Sequence, residues 1–439
     1  MILFVAVNLY HTRIRKNLEA ATFSQGVTLL VQLCGVPIFL RCWGAAGYGE
    51  WLTLSALASF LYLADLGYSA VSATEMRILV ERGDRANALQ VFQTNFVVAT
   101  LLSLVAFSLL AALTNGPALA LWLLSLHVLL SLQTGLLHDV YRSEGAQFRG
   151  VFWNNCMRLA EFFIVMGVAT LHRRIAAAAA MMLVCRFVAY LWMLGDVRQR
   201  YRWFSLGTTH FRISRLKRLV RPSLSFVIFP LCQRAIDSGT ITFIGSFLGP
   251  VPVVLFSTAR TLANFTIQIS NVIKNAVWPE MSAAFAADDI ASVRSMHGRA
   301  FQVSLILTTL ACILIGTLGV PIYSAWTHKI LLLNQPVFLA LLLGAIAGSA
   351  WNISLLVPLS TNRHAQVALF YLMVTALSFA VLYISRSGLL GVAMIRAFAE
   401  LVMVGVVVPR ALKVVGGLPN KAPWQTPPGS LRTVSPYSR

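Results

Sequence analysis

Residues 86–138 read ANALQVFQTNFVVATLLSLVAFSLLAALTNGPALALWLLSLHVLLSLQTGLLH, more than fifty positions without one Asp, Glu, Lys or Arg. A helix needs about twenty apolar residues to cross roughly 30 Å of hydrocarbon, so this stretch holds two spans. Comparable charge-free runs recur at 20–40, 300–328, 330–362 and 364–385. No water-soluble domain buries so many such segments in one core. With 58% hydrophobic and 11% charged residues and a mean hydropathy of +0.74, the chain reads as a polytopic membrane protein.

In hydrocarbon every backbone polar group must be satisfied within its own segment or a closed barrel, and the short alternating segments of a barrel are missing here. The class is therefore all-α. About twelve helices with short connections fill the 439 residues, placed near 20–40, 49–72, 88–113, 118–138, 151–171, 175–195, 222–248, 252–277, 300–325, 337–360, 367–384 and 388–408. The longest hydrophilic connection divides them six and six. The expected organisation is an N-terminal six-helix lobe over 1–197, a basic linker over 198–221 and a C-terminal six-helix lobe over 222–410. The linker is expected to lie as an amphipathic segment on the inner leaflet or to stand as a solvated loop. A proline-rich tail over 411–439 is expected to be disordered.

The net charge of +20 does not point to nucleic acid. With the amino terminus inside, most basic residues fall in inward segments, among them Arg13, Arg77, Arg142, Arg198, Arg218 and Arg410. The outer segments hold only Arg41, Arg173, Arg174, Lys329 and Arg386. That asymmetry puts both termini in the cytoplasm, and the basic excess also attracts anionic headgroups. The six cysteines are scattered, with no metal-ligand spacing, and no cofactor is expected. There is no phosphate loop, no nucleophile elbow and no zinc-protease motif. Outward loops are too short to carry the chemistry of a sugar polymerase, so the chain is not read as an enzyme.

A charge at the bilayer centre costs at least about 2.5–3.5 kcal/mol on insertion scales, so each needs a partner or water. Arg158/Glu161, Arg234/Asp237 and Arg396/Glu400 have the spacing of helical neighbours. Arg186, Arg260 and Lys274 add further bases, and Asp65 a further acid, without a basic neighbour on its own helix. On the eighth expected helix Arg260, Asn264, Gln268, Asn271, Lys274 and Trp278 share one arc, with Leu262, Phe265, Ile269 and Val272 opposite. One polar face along most of a helix reads as the wall of a water-filled cavity, or alternatively as a polar seam between packed helices. Pro37, Asp65-Leu66-Gly67 and Pro230 mark interruptions. Gly344-x-x-x-Gly348 permits close helix packing.

Several short motifs carry a resemblance. Pro37-Ile38-Phe39-Leu40-Arg41, Gly44-Ala45-Ala46-Gly47-Tyr48-Gly49-Glu50-Trp51 and Asp65-Leu66-Gly67-Tyr68 resemble the opening of bacterial polysaccharide and O-antigen flippases. These belong to the multidrug/oligosaccharidyl-lipid/polysaccharide exporter superfamily. Asp237, Gly245-Ser246-Phe247-Leu248-Gly249-Pro250, Ser257-Thr258-Ala259-Arg260-Thr261-Leu262 and Trp278-Pro279-Glu280 look similar in the second half. Where many relatives have an aromatic residue after the Gly249 turn, this chain has Val253-Val254, so the subfamily is left open. The resemblance implies two six-helix lobes around a central cavity in the bacterial inner membrane, working by alternating access. It implies a lipid-linked oligosaccharide as substrate, carried on undecaprenyl pyrophosphate for lipopolysaccharide or exopolysaccharide biosynthesis. Coupling to H+ or Na+ and contact with membrane lipids and other polysaccharide assembly proteins go with it. Arg234 and Arg260 are then the leading pyrophosphate contacts, with Lys274, Arg186 and Arg396 secondary. Asn264, Gln268 and Asn271 face sugar hydroxyls, Trp278 stacks on a sugar ring, and Asp237 or Asp65 couples the ion. A multidrug efflux carrier of the same superfamily is the alternative, and an oligosaccharide polymerase or ligase the reading from another class.

Overall fold

The computed structural model describes residues 2–65, 67–113, 119–213, 228–287, 289–360 and 365–417. In chain order the helices are α1 Ile2–Ser59, α2 Tyr68–Glu81, α3 Arg85–Leu113, α4 Leu119–Ser143, α5 Gln147–His172 and α6 Ile175–Arg200. They continue as α7 Thr240–Phe247, α8 Pro250–Ala286, α9 Ile290–Trp326, α10 Gln335–Ser354, α11 Leu356–Ser360, α12 Ala365–Ser385 and α13 Leu389–Gly417. A 3-10 turn, Phe60–Asp65, precedes α2, and a π turn, Ala235–Gly239, precedes α7. There is no strand among the described residues, as the hydrocarbon argument requires.

Eight helices among the described residues are long and apolar enough to cross a membrane. The other expected spans are still helical. The first two are fused in α1, which turns at Gly44 (φ 66°, ψ 179°), a conformation that only glycine adopts without strain. The fifth lies in α5, which carries Arg149, Arg158 and Glu161. The eighth lies in α8, diluted by its amides. The seventh begins outside the described residues. Leu104 and Val105 are 54% and 65% exposed, a poor arrangement in water and a neutral one against lipid chains.

The chain divides into two compact units. One comprises the chain up to Thr261 with Val320–Asn334 and Arg386–Leu389; the other comprises Leu262–Gly319, Gln335–Ser385 and the chain from Leu390. In the second unit the span Gln335–Ser360 is the centre: 78% of its apolar window is buried, against 22–28% for the unit's other three spans. Its small residues make this possible. A Cβ on Gly344 would rest 3.5 Å from the Cα of Ala397, so that motif does seat α10 against α13. Ser349 meets the Ser304 and Thr308 hydroxyls at 2.9 and 3.2 Å.

The structure adds detail at two polar ends of the helices. Residues 201–212 are not an amphipathic helix: Phe204 is buried, Gln93 Nε2 donates to the Ser205 carbonyl at 3.1 Å, and the His210 amide donates to Gln93 Oε1 at 2.7 Å. The segment is strapped to the start of α3. Residues 214–221 of the linker lie outside the described residues. The structured chain also continues past residue 410 to Gly417, because Ala411 and Val415 are buried against Met281, Val293, Leu356 and Val357. The rest of the expected tail, 418–439, lies outside the described residues.

Candidate functional site

The helical run 228–234 widens into the π turn Ala235–Gly239 a short way past Pro230. A π turn loosens the regular carbonyl ladder, and such turns recur at functional sites. Here side chains make up the lost bonds. Thr240 Oγ1 donates to the Ile236 carbonyl at 2.6 Å, Thr242 Oγ1 to that of Ser238 at 3.0 Å, and Arg260 Nη1 to that of Asp237 at 3.1 Å.

Arg260 reaches the π turn from α8, and its Nη1 stands 3.7 Å from Asp237 Oδ1. Together they face a cavity of about 280 Å³ that α1 closes from the other side. Its wall is rich in hydroxyls: Ser55 and Ser59 from α1, Ser238 from the π turn, and Ser257, Thr258 and Thr261 from α8. Ser59 donates to Ser238 Oγ at 2.6 Å, and Thr258 shares a 2.7 Å hydrogen bond with Tyr323. Ser257 Oγ is buried in this wall with no hydrogen-bond partner among the described residues. The volume lies just below the ~300–1,000 Å³ typical of pockets for drug-sized molecules, so it suits a charged head group and not a whole glycan.

Arg234, just before the π turn, is not among the lining residues; it is half-buried, with its guanidinium over the Tyr62 ring at 5.0 Å from the centroid. It forms no ion pair among the described residues, so the expected Arg234/Asp237 pair is corrected: Asp237 pairs with Arg260 and accepts from Gln233 Nε2 at 3.1 Å. The spacing rule fails because a π turn rotates positions away from α-helical register. Arg158/Glu161 is corrected too. Arg158 donates to Thr28 Oγ1 at 3.3 Å, while Glu161 is clamped by Arg186 at 2.6 and 2.7 Å and by His127 at 3.2 Å, all three buried. Arg186 thus sits apart from the cavity lining. Glu400 accepts from Trp351 Nε1 at 2.5 Å. Asp65 ends the 3-10 turn, takes the Ser69 amide at 3.2 Å and the Ser69 hydroxyl, and is not among the lining residues.

The remaining expected contacts lie in the second unit, as does Arg396. Asn264, Gln268, Asn271 and Lys274 are half-buried along α8, and Trp278 is 43% exposed. Beside Leu262 of the expected apolar arc, α8 buries Ala259, Ala263, Thr266 and Ser270, small residues that sequence patterning passed over. Ser55, Ser59, Ser238 and Tyr62 were also passed over, and Ser257 and Thr258 entered only within a motif of the resemblance. The further signal is hydroxyls at helical spacing, Ser55/Ser59 and Ser257/Thr261, which membrane helices use equally for packing.

Solved transporters share this fold. A lipid II flippase MurJ in its inward closed conformation matches with a TM-score of 0.69 at 12% identity, covering 92% of this chain and 90% of that one. An inward-facing multidrug resistance MATE family transporter of the MOP superfamily gives 0.64 at 13%, covering 91% and 94%. An outward-facing structure of such a transporter gives 0.56 at 14%, covering 92% and 96%. No family model matches the chain, and no curated protein matches it in sequence. The fold implied by the short motifs, that of the exporter superfamily, is the fold found.

Proposed function

We propose that this chain flips a polyprenyl-pyrophosphate-linked oligosaccharide from the cytoplasmic to the periplasmic leaflet of a bacterial inner membrane by alternating access. The observation that carries the reading is the hydroxyl-lined cavity at the π turn, where Arg260 stands against the carboxylate of Asp237, with Arg234 held over the Tyr62 ring just before the turn. The excess base suits a diphosphate; cationic drugs call for acids in an aromatic or apolar pocket. In this reading Arg260 exchanges Asp237 for the pyrophosphate, Arg234 leaves the Tyr62 face to join it, and the orphan Ser257 hydroxyl completes the cradle. Asn264, Gln268, Asn271 and Trp278 receive the glycan, with Lys274 and Arg396 as further cations. Both termini are cytoplasmic, a six-plus-six division of the helices underlies the cycle, and H+ or Na+ drives it.

The test is alanine at Arg234 and, separately, at Arg260. Each variant is expected to abolish surface polysaccharide while its membrane level stays that of the wild type, with lipid-linked repeats accumulating on the cytoplasmic leaflet. Normal glycan display from both variants overturns the assignment. Intact glycan with a changed drug-susceptibility profile in a deletion strain establishes the efflux alternative. Repeats stranded on the periplasmic leaflet indicate failed polymerisation instead.

A further inference from the structure

The first unit carries a second feature that the transport cycle does not use. Between α5 and α6 lies an apolar groove of about 470 Å³, walled by Met157, Ala160 and Ile164 on one side and Met181, Val184 and Val188 on the other. It opens outward: Val184 and Val188 are 50% and 59% exposed. At one end it closes on Trp153 and Trp192, whose rings meet edge to face at 5.7 Å. One turn beyond the tryptophans the groove meets charge. Arg149 precedes Trp153 by four residues, Asp196 follows Trp192 by four, and the two are joined at 2.8 Å. Arg200 adds a second bond to the same carboxylate at 3.0 Å. Arg198 is exposed and forms no ion pair among the described residues. Arg149 and Arg200 thus share one carboxylate at the mouth, which also accepts from the Tyr141 hydroxyl at 2.5 Å, while Arg198 stands exposed two residues on from it.

The dimensions fit a lipid leaflet. Trp153 to Ile164 spans eleven residues, about 17 Å at ~1.5 Å per residue, and one leaflet holds about half of the ~30 Å hydrocarbon core. Tryptophans settle at the headgroup boundary, and arginines just outside it attract anionic headgroups. We infer that the α5–α6 groove is a binding site for an anionic phospholipid, one acyl chain lying in the groove and the phosphate held at Arg198 and Arg200. A phospholipid fits because the groove has the depth of one leaflet and its basic mouth offers complementary charge. This site is independent of the transport reading.

Brominated acyl chains quench tryptophan on contact. The protein is reconstituted in phosphatidylcholine vesicles carrying a small fraction of brominated phosphatidylglycerol or brominated phosphatidylcholine. Trp153→Phe/Trp192→Phe protein isolates the emission of that pair. Expected is severalfold stronger quenching of the pair by the phosphatidylglycerol, reduced to the phosphatidylcholine level in Arg198→Gln/Arg200→Gln protein. Equal quenching by both lipids in the wild type means ordinary boundary lipid and overturns the site. A preference that survives in Arg198→Gln/Arg200→Gln overturns the mouth. Relief of quenching by a polyprenyl phosphate but not by unlabelled phosphatidylglycerol overturns the occupant.

Discussion

Asp237 holds Arg260 through both its carboxylate and its main-chain carbonyl. Neutralising the carboxylate therefore weakens the hold on the guanidinium while the carbonyl bond to the turn remains. Asp237→Asn is expected to retain substrate binding and lose the dependence of transport on a proton or sodium gradient, because coupling needs a group whose ion affinity differs between states. Unchanged gradient dependence in reconstituted vesicles makes Asp237 a partner of Arg260 and nothing more. Glu161 carries the opposite expectation. It neutralises Arg186 where both side chains are under 10% exposed, and stranding a buried charge costs about 3–5 kcal/mol. Glu161→Gln should lower the melting temperature of purified protein sharply, and Glu161→Leu/Arg186→Met should recover most of it. A single variant as stable as the wild type contradicts this. If the stable double variant fails to transport, Arg186 contacts substrate after all. That these charges interrupt apolar runs was legible in the sequence. Who pairs with whom was not, because His127, Glu161 and Arg186 come from three helices and only tertiary packing brings them together.

The helices themselves were legible because twenty apolar residues in a row leave no other solution in lipid. Their ends were not. Val277 was the expected end of the eighth span, yet α8 runs to Ala286, with Met281 fully buried against Leu356, Val357 and Ala411. A hydropathy pattern cannot see a cluster assembled from four separate segments. The seam between α1 and the turn before α8 was equally hidden. A Cβ on Gly49 would fall 1.9 Å from the Pro250 carbonyl oxygen, and one on Gly245 2.5 Å from the Thr53 side chain. Backbone, unlike a flexible side chain, cannot step aside. Gly49→Ala is expected to part α1 from Pro250, at a cost of about 1–3 kcal/mol for overpacking. The measurements are a lowered melting temperature and faster thiol labelling of a Ser59→Cys reporter, which the intact seam shields beside Ser238. Wild-type labelling and stability in Gly49→Ala protein show that the seam is loose at this point.

Across the whole chain, the shared fold of MurJ and MATE transporters at 12–14% identity shows how little of this architecture depends on particular side chains. Apolar runs, a few turn-forming glycines and small-residue contacts suffice to specify it. What sets this chain apart within that fold is its polar groups, among them Arg234, Arg260, Asp237 and the hydroxyls at the π turn. A fold shared by a lipid flippase and by multidrug transporters fixes no cargo by itself, so the proposed one rests on this chemistry. The decisive measurement reconstitutes the purified protein in vesicles with a labelled polyprenyl-pyrophosphate oligosaccharide in one leaflet and follows its arrival in the other with an impermeant glycosidase. Transfer by the wild type and none by Arg260→Ala is the result expected of a lipid-linked cargo. No transfer by the wild type, with a cationic dye moved in its place, would contradict it.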